Sequence, residues 1–259
     1  MGAQSFNDFE LISIGRLHSA DMIGESLHQL REAGYSNINL DLLLGLPRQT
    51  AESWRTNLGK AAHAGIPHIS VYMLEMDDPC LLQSLIADGQ LQVPADDLVA
   101  DLYLETIHYL NACGFHQYEI SNFARPGYSC RHNLKYWLRD PVIGFGLGSH
   151  SYDGQFRYAN SATLGEYLQA LGAGDLPVKW RRAVKEEEAL EESLFLGLRL
   201  NKGVNWKQLH SLDTCSRLPK YEHYLKKLSH DGLIEWKGSV VRLTPAGMLL
   251  SNEIFQIFV

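Results

Sequence analysis

The sequence predicts an α/β chain in three parts: an incomplete (β/α) barrel over residues 1–125, an irregular region over 126–180, and a winged-helix-like C-terminal domain over 181–259. Three observations carry this. Amphipathic helices alternate with short apolar strands in the first part, glycine and aromatic residues without a sustained period fill the second, and three helices followed by a hairpin make up the third.

AQSF at 3–6 reads as the end of a strand. In HSADMIGESLHQLREAG, Ser19 is an N-cap, Ile23, Leu27 and Leu30 recur at helical spacing, and Gly34 is the stop. NINLDLLLG follows as a buried strand, and Asn39 and Asp41 alternate with Ile38, Leu40 and Leu42, so two polar groups share one face. In GLPRQT at 45–50, Gly45 and Pro47 turn the chain and Thr50 caps a helix with Trp54, Leu58 and Ala61 on one side. A phosphate cradle is conceivable at such a terminus, but turn chemistry explains it and we read it as scaffold.

HISVYML at 68–74 is the next strand, and the alternation of helix and strand predicts a parallel sheet. A short helix near 78–90 leads to a long helix at 94–114, carrying Leu98, Leu102, Thr106 and Tyr109, and then to the strand FHQYEIS. Parallel strands need neighbours on both edges, so the expectation is that the opening part of this domain lies outside the chain. GDLPVKWRR reads as a linker. Beyond it come helices in KEEEALEESLFLGLRL, around 206–212 and around 220–229, then LIEW, a Lys237-Gly238 turn and SVVRL as a hairpin, and a closing helix.

Composition narrows the function classes. The net charge of −7 is uneven, with 11 Lys/Arg against 20 Asp/Glu in 1–180 and 12 against 10 in 181–259, so no nucleic-acid footprint is present. A winged helix could present Lys220, Lys226 and Lys227 to DNA, but Glu222, Asp231 and the glutamates at 186–188 oppose phosphate neutralisation. No apolar run approaches the ~20 residues of a membrane span, and no signal pattern opens the chain, so the cytoplasm is the expected location. Cys80, Cys113, Cys130 and Cys215 form no C-x-x-C pair and read as reduced thiols.

GAQSFND (2–8), NINLDLLLGLPRQT (37–50), YEISNFARPGYSCRHNLKYW (118–137), GFGLGSHSY (144–152) and RLTPAGMLLSN (242–252) together resemble the HemW family. These are heme chaperones of the radical S-adenosylmethionine (SAM) superfamily, related to oxygen-independent coproporphyrinogen III oxidase. The resemblance implies a radical-SAM partial (β/α)6 barrel, a heme-handling region and a winged-helix-like domain. It also implies a [4Fe-4S] cluster held by C-x-x-x-C-x-x-C, a motif this sequence lacks, so the chain alone is not expected to cleave SAM reductively.

By the same resemblance Gln4, Arg16 and Asp41 are SAM contacts, which suits a guanidinium for the carboxylate and polar groups for the ribose. The alternative for Asp41 is a hydrogen-bonded pair with Asn39 inside the barrel, and for Arg16 a solvated helix residue. H-N-x-x-Y-W at 132–137 resembles the heme-binding box, with His132 as iron ligand and Tyr136 and Trp137 as flat apolar surface. Tyr136 lies one helical turn beyond His132. Cys130 is the rival ligand, and the plain alternative is that His132 or Asn133 caps a short helix. GFGLGSHSY does not match the dinucleotide spacing; the resemblance sets it near the SAM or heme site, with His150 noted, and a tight turn explains it as well.

The function expected is a heme chaperone passing heme to an acceptor protein, with the oxidase and a winged-helix DNA-binding protein as rivals. A dimer and peripheral membrane contact stay open.

Overall fold

The fold is described from a computed structural model, covering residues 1–76 and 80–258. It divides into two units, 1–129 and 130–259.

The first unit opens with strand β1 (Gly2–Gln4) and helices α1 (Asp8–Ser13) and α2 (Ala20–Glu32), followed by β2 (Asn39–Leu44), α3 (Ala51–Ala62) and β3 (His68–Met73). Local chemistry fixes the ends. Ser19 accepts from the Met22 amide to start α2, Gly34 at φ +87° follows its end, and Thr50 and Ser53 form a reciprocal capping box on α3. Helix α4 (Leu81–Ala87) lies within the stretch expected near 78–90, of which residues 78 and 79 fall outside the described residues.

Helix α5 (Asp96–Ala112) and strands β4 (His116–Glu119) and β5 (Asn122–Ala124) complete the unit. The sheet runs β1-β2-β3-β5-β4. β1, β2 and β3 are parallel, but β5 pairs antiparallel with both β3 and β4. The expectation of a wholly parallel sheet is corrected here. After β4 the chain reverses within two residues, and the Ser121 amide donates to the Glu119 carboxylate at 3.0 Å, so NFA inserts between β3 and β4. Leu40, Leu42, Leu44, Ile69, Val71 and Phe123 are fully or almost fully buried, and buried Trp54 donates Nε1–H to Thr106 of α5 at 2.9 Å.

The second unit begins with α6 (Arg131–Trp137), β6 (His150–Tyr152), β7 (Phe156–Asn160), α7 (Leu164–Ala173) and β8 (Val178–Ala183). Strands β6, β7 and β8 form an antiparallel sheet in that order. The irregular region is thus largely structured, and the supposed linker GDLPVKWRR contributes β8. Its residues Lys179, Trp180, Arg181 and Arg182 are all exposed and none is aliphatic, so the strand carries no apolar alternation to reveal it.

Helix α8 (Glu186–Leu198), β9 (Val204–Asn205), α9 (Trp206–His210), α10 (Leu218–His230), β10 (Ile234–Lys237) and β11 (Val240–Leu243) give the winged-helix order, with the sheet β10-β11-β9. Gly203, at φ +65°, sits where an added Cβ would meet the Val241 carbonyl at 2.2 Å, so glycine is required for β9 to join the wing. Helices α11 (Pro245–Leu249) and α12 (Ser251–Phe255) close the chain, and Leu194, Leu198, Leu225, Val241 and Phe258 form the core.

Candidate functional site

Two sites emerge, one in each unit. In the first, strand period and register gather the polar residues onto one face of the sheet. Asn39 is in register with His68, and Asp41 with Ser70, which is in turn in register with Asn122. Asn39 donates to Asp41 Oδ1 at 2.7 Å, and Ser70 donates to Asn122 Oδ1 at 2.8 Å. Asn122 continues the chain by donating to Glu119.

His68 lies between Asn39 Oδ1 at 2.7 Å and the Tyr118 hydroxyl at 2.9 Å. Burial lowers its pKa to about 4, against a smaller opposing pull from Asp41, so the imidazole is neutral at pH 7. The pairing of Asn39 with Asp41 expected from alternation is therefore present, as the end of a longer network.

Gln4 is buried and has φ +64°, which bends its side chain over Gly2: a Cβ added at Gly2 would lie 2.6 Å from Gln4 Nε2. Gly2 is the register partner of Asp41, so the strand pairing brings Gln4 and Asp41 to adjacent places. Arg16 stands in the exposed loop after α1, and no hydrogen bond or ion pair among the described residues joins its side chain to either.

Sequence reasoning missed Glu10. Its carboxylate is fully buried and accepts from Ser5 at 2.6 Å, Gln49 at 3.1 Å and Asn57 at 3.2 Å. That network ties the GAQSFN segment to the GLPRQT turn, which Gln49 itself closes by accepting from the Gly45 amide at 2.7 Å. The turn is held by its own side chains.

In the second unit the HNLKYW box forms α6. Cys130 is its N-cap and makes no side-chain capping bond, while His132 and Asn133 lie inside the helix, so the capping alternative is corrected. His132 is exposed and meets Tyr136 edge to face, with ring centroids 5.1 Å apart, as the i, i+4 spacing requires. Trp137 lies under the Arg199 guanidinium at 4.3 Å, and its indole N–H is buried without a hydrogen-bond partner among the described residues.

Tyr136 and Trp137 both line a cavity of about 610 Å³, together with residues of β6, β8 and α8 that include His150, Trp180 and Phe195. His132 and Cys130 are not on its wall. At one side Glu192, only 8% exposed, bridges Arg139 at 2.8 Å and Arg157 at 2.7 Å, and Arg139 also donates to the Tyr152 hydroxyl at 2.9 Å. A cavity of this size with aromatic walls and a few cations suits a large planar anionic ligand. His150, Trp180 and the arginines had no periodic signal, because their grouping depends on the pairing of strands.

Residues 184–250 match a family model described as the HemN C-terminal domain. The chain is 37% identical over 257 residues to the heme chaperone HemW of Bacillus subtilis, covering 99% of this chain and 68% of that protein. It is 39% identical over 220 residues to HemW of Synechocystis, covering 84% and 53%. Against the mitochondrial radical S-adenosyl methionine domain-containing protein 1 of mouse it is 34% identical, covering 80% and 50%. Among solved structures, coproporphyrinogen III oxidase (HemN) of Escherichia coli, titled a radical SAM enzyme, matches all of this chain and 63% of its own with a TM-score of 0.76 at 22% identity, a likeness of fold. The chain belongs to the HemW family of heme chaperones, of whose members it spans between about half and two thirds in these comparisons.

Proposed function

We propose that the chain binds heme at the HNxxYW helix, with His132 as axial ligand of the iron, and passes it to an acceptor protein in the cytoplasm. The observation that carries this reading is that Tyr136 and Trp137 share a cavity wall while His132 packs against Tyr136 one turn earlier. Porphyrin-sized apolar surface, an exposed imidazole and nearby guanidiniums fit what heme needs: flat contact, a nitrogen donor and cations for carboxylates. Exposure of His132 favours delivery as well as binding, because an iron ligand at the surface can exchange. Cys130, at the start of the same helix, is the rival ligand.

In the first unit the Asn39–Asp41 face and Gln4 offer hydrogen-bonding groups suited to the ribose of SAM, and Arg16 a cation for its carboxylate. A [4Fe-4S] cluster does not fit the residues present: its cysteine motif is absent, and no group of three or more His, Cys, Asp or Glu among the described residues could hold a metal. No helix among the described residues is long and apolar enough to cross a membrane. On α10, Lys226 pairs with Glu222 at 2.6 Å, so a carboxylate stands among the lysines a DNA reading would use.

Titration of the chain with hemin tests the reading. A saturable Soret band is expected, with tryptophan fluorescence quenched through Trp137. Loss of most affinity is expected in His132→Ala and little change in Cys130→Ala; no band in the wild type rejects heme binding, and an unchanged band in His132→Ala rejects that ligand.

A further inference from the structure

The sheet of the second unit turns an ordered face to the cavity. Strand period sets residues 150 and 152, 157 and 159, and 180 and 182 on one side. Register sorts them into two rows: His150, Ala159 and Trp180 form one, and Tyr152, Arg157 and Arg182 the other. The first row places an imidazole and an indole on either side of a methyl group, with their rings meeting edge to face at 5.8 Å. The second places two guanidiniums on neighbouring strands beside a phenol. Except for Ala159, all of these residues line the cavity.

The two rows differ in chemistry as the two parts of a metalloporphyrin do. An iron at the centre of a flat apolar ring takes two axial ligands, and two propionates project from one edge of that ring. Arg157 uses one nitrogen on Glu192, while its Nε is buried with no hydrogen-bond partner among the described residues. Arg182 is held by Glu188 at 2.6 Å, but both side chains are substantially exposed, so that pair exchanges readily for another carboxylate.

We propose that this face orients the heme: His150 is a second iron ligand, supplied from β6 while His132 is supplied from α6, and Arg157 and Arg182 bind the propionates. The inference rests on the heme-binding reading above and adds the orientation and the strand-side contacts. It makes a prediction the HNxxYW box alone does not, that iron and carboxylates contribute to affinity through different residues.

Three probes on the full chain separate these contributions: hemin, iron-free protoporphyrin IX and hemin dimethyl ester, whose propionates carry no charge. In His150→Ala, hemin affinity falls about tenfold or more, the equivalent of roughly 1.4 kcal/mol, the ferric spectrum shifts toward high spin, and protoporphyrin affinity is unchanged. In Arg182→Gln, hemin and protoporphyrin weaken severalfold and the dimethyl ester does not. Both side chains are exposed or half-exposed, and far-UV circular dichroism of each variant, with His150→Gln alongside, confirms that the fold is kept. An unchanged hemin isotherm and spectrum in His150→Ala, with His132→Ala still disrupting binding, overturns the second ligand alone. Equal loss for hemin and its ester in Arg182→Gln overturns the propionate contact. Absence of hemin binding to the wild type overturns the heme reading and this inference together.

Discussion

Replacing Glu192 with Gln should make the second unit less stable while making it a better receptor for an anionic porphyrin. Glu192 is buried and its two oxygens accept from Arg139 at 2.8 Å and from Arg157 at 2.7 Å. Glutamine has nearly the same shape but keeps one acceptor oxygen and turns an NH2 group toward the other guanidinium. One charge-assisted hydrogen bond is lost, a loss of about 1.5–3 kcal/mol. The guanidinium left facing a donor is poorly compensated in a partly buried place, which brings the total to roughly 2–4 kcal/mol, below the 3–5 kcal/mol typical when a buried partner is removed outright. For a chain of this size that lowers the melting temperature by about 5–10 °C.

The effect on ligand has the opposite sign. Removing a negative charge behind Arg157 increases the attraction for a propionate, and because that charge lies beyond the guanidinium the gain stays below the ~1 kcal/mol of a close pair in water. Hemin affinity should therefore rise by up to about fivefold, and the rise should shrink in high salt. Thermal melts followed by tryptophan fluorescence and paired hemin titrations at two salt concentrations measure both quantities. An unaltered melting temperature, or hemin affinity that falls with stability, refutes the reasoning.

Acidification should destabilise the first unit through His68. Its pKa in the fold is about 4 against an ordinary 6.5, so the unfolded chain binds a proton that the fold excludes; stability is full above about pH 6.5 and is lost as pH falls toward 4. The loss should reach roughly 2–3 kcal/mol, and urea titrations across that range should show it blunted in His68→Gln. Gly144→Ala should disturb the cavity without entering it, since the added Cβ would lie 2.5 Å from the His150 carbonyl oxygen and push β6; hemin affinity is expected to drop severalfold, and an unchanged isotherm counts against the rigidity of that strand. Double-stranded DNA at low salt should migrate unaltered with the chain present, and a salt-sensitive shift would reopen the winged helix as a DNA reader.

The sequence discloses those parts of this protein that local rules decide. Ser19, Thr50 and Gly34 mark helix ends through their own hydrogen bonds and dihedral freedom, and the alternation of Asn39 and Asp41 with leucines shows which face of β2 is polar. His132 and Tyr136 meet because a helix repeats every 3.6 residues. The reversal into β5 was hidden because a three-residue strand has no period to read.

The β6–β8 sheet was hidden for a different reason. Its cavity face is made of His, Tyr, Arg and Trp, and residues 179–183 of β8 are all exposed, so no alternation of polarity or exposure marks the strand and GDLPVKWRR looks like a linker. Register then does what composition cannot: it aligns residues 150, 159 and 180 in one row. Glu10 was missed because a buried carboxylate is legible only through partners far along the chain, Gln49 and Asn57.

The crystal structure of the chain bound to hemin tests the central claim most directly. The expected result is a porphyrin lying against Tyr136 and Trp137, with an imidazole nitrogen of His132 on the iron. A ring bound elsewhere, or an iron ligated at this place by Cys130 instead of His132, contradicts it.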